Sequence, residues 1–190
     1  AAFDASGHPK DIVSQLGLHA CRALYYFPKT ELTEDEDGWC GWHNDHCLLT
    51  GLIPGRFFDV KKQEEGASPD PDAGLYICTR SGQVIKPTPP KNAMLFQIGE
   101  TAQIISGGVL RATPHMVRPP HSTGFARTTL PLFMQPGHDF VLKMPANAGT
   151  DALVCPHLPQ GVPELSSRYT GETTFGDFSN TTFSAYYNQK

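Results

Sequence analysis

His43 and Asp45, in Trp42-His43-Asn44-Asp45, are the residues whose types and spacing best suit metal chemistry. Alternate side chains of an extended strand leave on one face, so an imidazole and a carboxylate at i and i+2 can aim at one ion. Two imidazoles and one carboxylate form a facial set that suits divalent iron and leaves coordination positions open. The pair by itself is a weak signal. A third ligand must be a histidine distant in sequence, on a strand able to lie beside the first. His8 and His19 precede the strand-rich region, while His121, His138 and His157 stand against Pro or Gly in loop-like sequence. His115 alone has strand-like neighbours, shortly after a Gly107-Gly108 turn. Beyond it, Arg127-Thr128-Thr129 repeats the i, i+2 spacing with a guanidinium and a hydroxyl. A guanidinium fork matches a carboxylate in two parallel hydrogen bonds, and the hydroxyl can add a third.

These residues need a scaffold of short strands. Residues 9–20 carry apolar positions at roughly helical spacing, which predicts a short helix outside a sheet. Arg22 to Pro28 reads as a first core strand, Glu31 to Asp37 as a solvated acidic loop, and residues 41–50 as the strand bearing the ligand pair. On that strand Asn44 and His46 face away from the ligands, in a supporting or structural role. Residues 52–55 turn the chain so that residues 56–60 can pair back, and residues 61–74 read as a polar insertion. Gly74 to Lys86 has the pattern of a hairpin, and residues 93–106 repeat it. Residues 109–117 and 126–134 complete the strands. Such a series predicts a mainly β fold, a double-stranded β-helix or jelly roll, with Trp39, Trp42 and Phe96 in its core. Residues 145–171 are irregular and proline-rich, suited to a wrap along the outside. A terminal helix from about Thr174 to Tyr187 would have Thr174 as its cap, with Phe178, Thr182 and Tyr186 on one face.

At 190 residues, 39% hydrophobic and 18% charged, the chain fits a single domain, with its core at about 22–134 and residues 135–190 as wrap and helix. A formal charge of -4 offers no basic footprint for nucleic acid, and no apolar run suits a bilayer. The five cysteines are scattered without a Cys-x-x-Cys pair, which favours free thiols in a reducing compartment and a cytoplasmic location. The chain opens on Ala1-Ala2-Phe3, without an initiator Met, so a processed or shortened form of a longer protein, with a targeting segment removed, is also compatible.

From about Arg22 to Met134 the sequence resembles the 2-oxoglutarate- and Fe(II)-dependent dioxygenases of the isopenicillin-N-synthase-like branch. The resemblance rests on residues 42–50, Gln97-Ile98-Gly99-Glu100, Ser106-Gly107-Gly108 with Ala112-Thr113-Pro114-His115, and Arg127-Thr128-Thr129. Residues 174–178 and Tyr186-Tyr187 also resemble a plant and algal group of such proteins. It implies Fe(II) on His43, Asp45 and His115, and 2-oxoglutarate held by Arg127 and Thr129, which keeps the hydroxyl of the family's Arg-x-Ser. It also implies a co-substrate contact from Tyr26, where Leu24-Tyr25-Tyr26 stands for the family's Asn-x-Tyr. Molecular oxygen and a small-molecule substrate complete the expected chemistry, with succinate and carbon dioxide as co-products. Two other classes stay open: a hydrolase or isomerase using Zn(II) or Mn(II) on a cupin-like barrel, and a jelly-roll binding module without catalysis. The first gives no reason for Arg127 and Thr129, and the second explains neither constellation.

Overall fold

Among the residues that the computed structural model describes, 17–31, 38–90, 92–149 and 151–187, there are fourteen short strands and three helices. The strands are β1 (Ala20–Cys21), β2 (Leu24–Tyr26), β3 (Cys40–His43), β4 (Leu49–Leu52), β5 (Arg56–Asp59), β6 (Glu64–Gly66), β7 (Gly74–Cys78), β8 (Val84–Ile85), β9 (Leu95–Ile98), β10 (His115–Arg118), β11 (Phe125–Thr129), β12 (Pro131–Met134), β13 (Val141–Leu142) and β14 (Thr173–Thr174). The helices are α1 (Glu100–Ile105), α2 (Leu165–Arg168) and α3 (Phe175–Tyr187). All ladders are antiparallel, in sheets ordered β1-β12-β4-β9, β3-β10-β7-β8, β2-β11-β5-β6 and β13-β14. Strands consecutive in sequence mostly lie in different sheets, the winding of a double-stranded β-helix. The predicted fold class is the observed one.

Several elements differ from the sequence reading, each for a local reason. Of the helix expected at 9–20, residues 9–16 lie outside the described residues, and Ala20–Cys21 is a strand paired to β12. Most of the acidic loop, residues 32–37, lies outside them as well. Residues 56–59 pair with β11 and β6 rather than back onto β4, so the polar insertion contains a real strand at Glu64–Gly66. The hairpin at 74–86 is present as β7 and β8. Its expected repeat is not, because Glu100–Ile105 is a helix whose six residues are all buried. Thr101, Ile104 and Ile105 are strand formers by type, but a buried segment with no adjacent strand must satisfy its backbone internally. Residues 126–134 divide into two strands in different sheets. Pro131 has no N–H to continue a ladder and so begins a new strand.

The C-terminal region contributes to the core as well as covering it. Ile104, Ile105, Leu142, Leu165, Tyr169, Phe175 and Phe178 form a buried cluster, with Leu165 and Tyr169 coming from the stretch expected to wrap the outside. The terminal helix matches its prediction closely. Thr174 Oγ1 accepts the Asp177 backbone N–H at 3.1 Å and donates to Asp177 Oδ2 at 2.7 Å. Phe178 and Thr182 are both 1% exposed, on the face shared with Tyr186. Phe96, expected in the core, is 58% exposed on the outer side of its sheet.

Candidate metal centre and co-substrate pocket

The decisive local event is the end of β3 at His43. The next backbone groups leave the sheet and are taken by helices. The Asn44 N–H donates to Tyr186 Oη at 3.0 Å, and the Asp45 carbonyl accepts the Glu100 N–H at 2.8 Å. Thr101 Oγ1 donates to the His46 carbonyl at 2.6 Å, and the Gly99 N–H donates to the Leu48 carbonyl at 3.0 Å. Gly99 is required there, since a Cβ would overlap the Cys47 carbonyl. The ligand pair therefore straddles a strand end, and alternation along one continuous strand, as expected from sequence, is not what aims it. Asp45 is aimed by the fixed turn that follows.

Ladder register supplies the third member. In the β3–β10 pair His115 lies directly opposite His43, and the two ring centroids are 4.1 Å apart. Candidate ligand atoms of His43, Asp45 and His115 all lie within 4.8 Å of one another, the one such His/Cys/Asp/Glu group among the described residues. His115 Nε2 is 3.9 Å from Asp45 Oδ2. Each imidazole is oriented through its other nitrogen: Nδ1 of His43 is 2.8 Å from the Gly41 carbonyl, and Nδ1 of His115 is 3.0 Å from the Thr113 carbonyl. A carbonyl accepts only from N–H, which leaves each Nε2 with its lone pair free to bind a metal. Asp45 is steadied by Thr50, whose hydroxyl donates to Oδ2 at 2.6 Å.

Charge at this cluster is finely divided. Burial lowers the His43 imidazole, but contact with the Cys40 side chain, the Gly41 carbonyl and Asp45 together carry it up to about 9. Burial, and then repulsion from His43, lower His115 to about 4 against the pull of Asp45 and the Thr113 carbonyl. The same surroundings that favour positive charge on His43 disfavour it on His115, and a divalent cation in place of a proton could meet both Nε2 lone pairs at once. His46, on the other side of Asp45, is lowered to about 4, mainly by burial. It is tied to α3, with Nε2 3.0 Å from Ser179 Oγ and its ring stacked on Phe175.

Arg127 enters the same cavity from β11, where it pairs with Tyr26 on one side and Phe57 on the other. It is 3% exposed, its guanidinium carbon stands 5.4 Å from the Tyr26 ring centroid, and its Nη1 has no hydrogen-bond partner among the described residues. Burial pulls its guanidinium below the ordinary range, opposed by Tyr26. A Cβ at Gly55 would overlap this guanidinium, so the glycine is the floor on which Arg127 rests. Thr129 Oγ1 donates to the Ile53 carbonyl at 3.2 Å and also lines the cavity. The cavity is ≈ 620 Å³, and His43, Asp45, His115, Arg127, Thr129 and Tyr26 all border it. Trp39 borders it too, stacked on Tyr26, rather than lying in the core.

One supporting cluster was not foreseen from sequence. Glu100 and Arg168 form a doubly hydrogen-bonded ion pair with side chains 0% and 2% exposed. Asn44 Nδ2 donates to Glu100 Oε1 at 3.1 Å, and Arg168 Nη1 donates to Thr182 Oγ1 at 2.8 Å. Burial pushes the Glu100 carboxyl up, against Arg168 and Asn44. The cluster connects the ligand-bearing turn, α1, α2 and α3. Nothing in the local sequence around either residue marks the pairing, since the partners stand 68 positions apart.

A buried guanidinium nitrogen without a partner among the described residues, a hydroxyl two residues on and an N,N,O donor set border one cavity, and such residues could hold a divalent metal and a carboxylate ligand. Residues 66–136, which include His115, Arg127 and Thr129, match the family model described as the 2OG-Fe(II) oxygenase superfamily. No curated protein sequence matches significantly. Among solved structures, a putative 2OG-Fe(II) oxygenase family protein from Caulobacter crescentus is similar, with a TM-score of 0.61 and 23% identity over 92% of this chain and 49% of that one. The rice dioxygenase for auxin oxidation has a TM-score of 0.57 and 18% identity over 87% of this chain and 46% of that one. The Arabidopsis thaliana dioxygenase for auxin oxidation, as its 2-oxoglutarate complex, has a TM-score of 0.50 and 21% identity over 75% of this chain and 45% of that one. The chain spans less than half the length of these proteins. The solved structures share the double-stranded β-helix of this chain, and residues 66–136 are similar to the 2OG-Fe(II) oxygenase family model.

Proposed function

We propose that this chain forms the catalytic core of an Fe(II)- and 2-oxoglutarate-dependent oxygenase acting on a small molecule. The observation that carries this reading is the convergence of His43, Asp45 and His115 within 4.8 Å in a cavity that also holds the buried Arg127 with its unpartnered Nη1. His43 and His115 would bind Fe(II) through Nε2, and Asp45 through a carboxylate oxygen. Arg127 and Thr129 would hold the far carboxylate of 2-oxoglutarate, with Tyr26 packed beneath the guanidinium. Bound iron would supply oxygen activation, coupling decarboxylation of 2-oxoglutarate to oxidation of the substrate. One oxygen atom enters succinate, carbon dioxide leaves, and the second oxygen departs in the product or as water.

The protein's own residues orient and shield. The Gly41 and Thr113 carbonyls fix both imidazole tautomers, Thr50 fixes Asp45, and the walls from β11, β12 and α3 limit water at the reacting centre. A hydrolase or isomerase would have no use for Arg127 and Thr129. The test is anaerobic addition of Fe(II) and 2-oxoglutarate, which should give a weak visible charge-transfer band, followed by oxygen, which should release succinate. Asp45→Ala should abolish both signals. Absence of both from the wild type, with zinc bound as purified, would overturn the reading.

A further inference from the structure

The cavity holds a second arginine that this reading leaves unused. Ala20 pairs with Phe133, and the Arg22 N–H donates to the Pro131 carbonyl at 3.1 Å just past the end of β1, so Ala20 and Arg22 share the face that borders the cavity. The Arg22 guanidinium carbon stands 5.4 Å from the ring centroid of Phe133, itself a cavity residue, which holds the head group against the cavity wall. Arg56, Arg111 and Arg168 each pair with an acid, but no ion pair involves Arg22 among the described residues. Asp45 is the one carboxylate bordering the cavity among the described residues, and it is assigned to the metal.

Charge then decides what the pocket lacks. If the site works as proposed above, the iron dication, the Asp45 carboxylate, the 2-oxoglutarate dianion and the Arg127 guanidinium cancel. Arg22 then remains a cation bordering a low-dielectric cleft with no ion-pair partner among the described residues, and there a complementary charge is attracted strongly. The cavity is also lined by Phe133 and Gln135 and, from α3, by Asn180, Phe183 and Tyr187. A volume of ≈ 620 Å³ is within the range of pockets that enclose a drug-sized ligand, so there is space for a small body besides the co-substrate.

We propose that Arg22 anchors the carboxylate of the oxidised substrate, a small organic monoanion with an apolar or aromatic body. The guanidinium fork takes the carboxylate while the body lies along Phe133 and α3 toward the metal cluster. This assignment rests on the iron and 2-oxoglutarate reading, and the experiment separates the two. Protein loaded anaerobically with Fe(II) and saturating 2-oxoglutarate is titrated with phenylacetate and with its neutral isostere phenylacetamide, by calorimetry. The charge-transfer band reports the co-substrate site independently. Phenylacetate should bind at least tenfold more tightly than phenylacetamide. Arg22→Gln should erase that preference, and Arg22→Lys should restore part of it. Equal binding of both probes to the wild type, no binding of either, or a preference that survives in Arg22→Gln would overturn the assignment. Loss of the charge-transfer band in the wild type would instead overturn the oxygenase reading.

Discussion

Thr50 shows how one hydroxyl can matter at the residue scale. Its 2.6 Å hydrogen bond to Asp45 Oδ2 leaves the other carboxylate oxygen as the freer donor and sets its direction. Partners of this kind typically change metal affinity by about 10–100-fold. Thr50→Val keeps the volume and removes the hydrogen bond, so Fe(II) affinity should fall by about that factor, measured by competition with a chelator. Arg127 depends on a different neighbour. Gly55→Ala places a methyl group where the guanidinium now lies, so 2-oxoglutarate should bind at least tenfold more weakly, while Fe(II) binding alone stays near wild type. Arg127→Ala should give the same split. Equal 2-oxoglutarate affinity in either variant, followed by the charge-transfer band, would remove Arg127 from the co-substrate site.

At the scale of elements, the metal cluster is only as stable as the joint between the ligand turn and the helices. Glu100 and Arg168 are both buried, and removing one partner leaves the other charge uncompensated, a loss of about 3–5 kcal/mol in comparable pairs. Arg168→Met should therefore lower the urea midpoint sharply and loosen Asn44 beside the ligands. Arg168→Met combined with Glu100→Leu should recover much of that stability, because no unpaired charge remains. The cap of α3 is an independent and smaller contribution. Thr174→Ala removes the acceptor for the Asp177 N–H and should cost about 1 kcal/mol, with no change in metal affinity if α3 stays docked.

For the whole molecule, one pH-sensitive joint is the docking of α3. His46 lies between Asp45 and that helix, and its imidazole titrates at about 4 in the fold against 6.5 when free. The unfolded chain gains a proton below 6.5 that the folded chain does not take up until about 4. The stability contributed by neutral His46 is therefore complete above 6.5 and declines as pH falls toward 4. The shift corresponds to about 2 kcal/mol once partial solvent access is allowed for. Urea unfolding at about pH 7 and about pH 4.5 should show this loss in the wild type and a smaller one in His46→Leu. No helix among the described residues is long and apolar enough to cross a membrane.

Residue type and order pointed to His43, Asp45, His115, Arg127 and Thr129, because ligand chemistry restricts donors to few side chains, and all five border one cavity. They also fixed the terminal helix and its cap, whose hydrogen bonds run between neighbours in the chain. The strand end at His43, the helix at Glu100–Ile105, the division at Pro131 and the Glu100–Arg168 pair were decided by the tertiary structure. In each case a backbone group or charge is satisfied by a partner distant in sequence, and local propensity carries no information about that partner. Ladder register likewise needed the assembled sheet, and it is register that sets His115 beside His43.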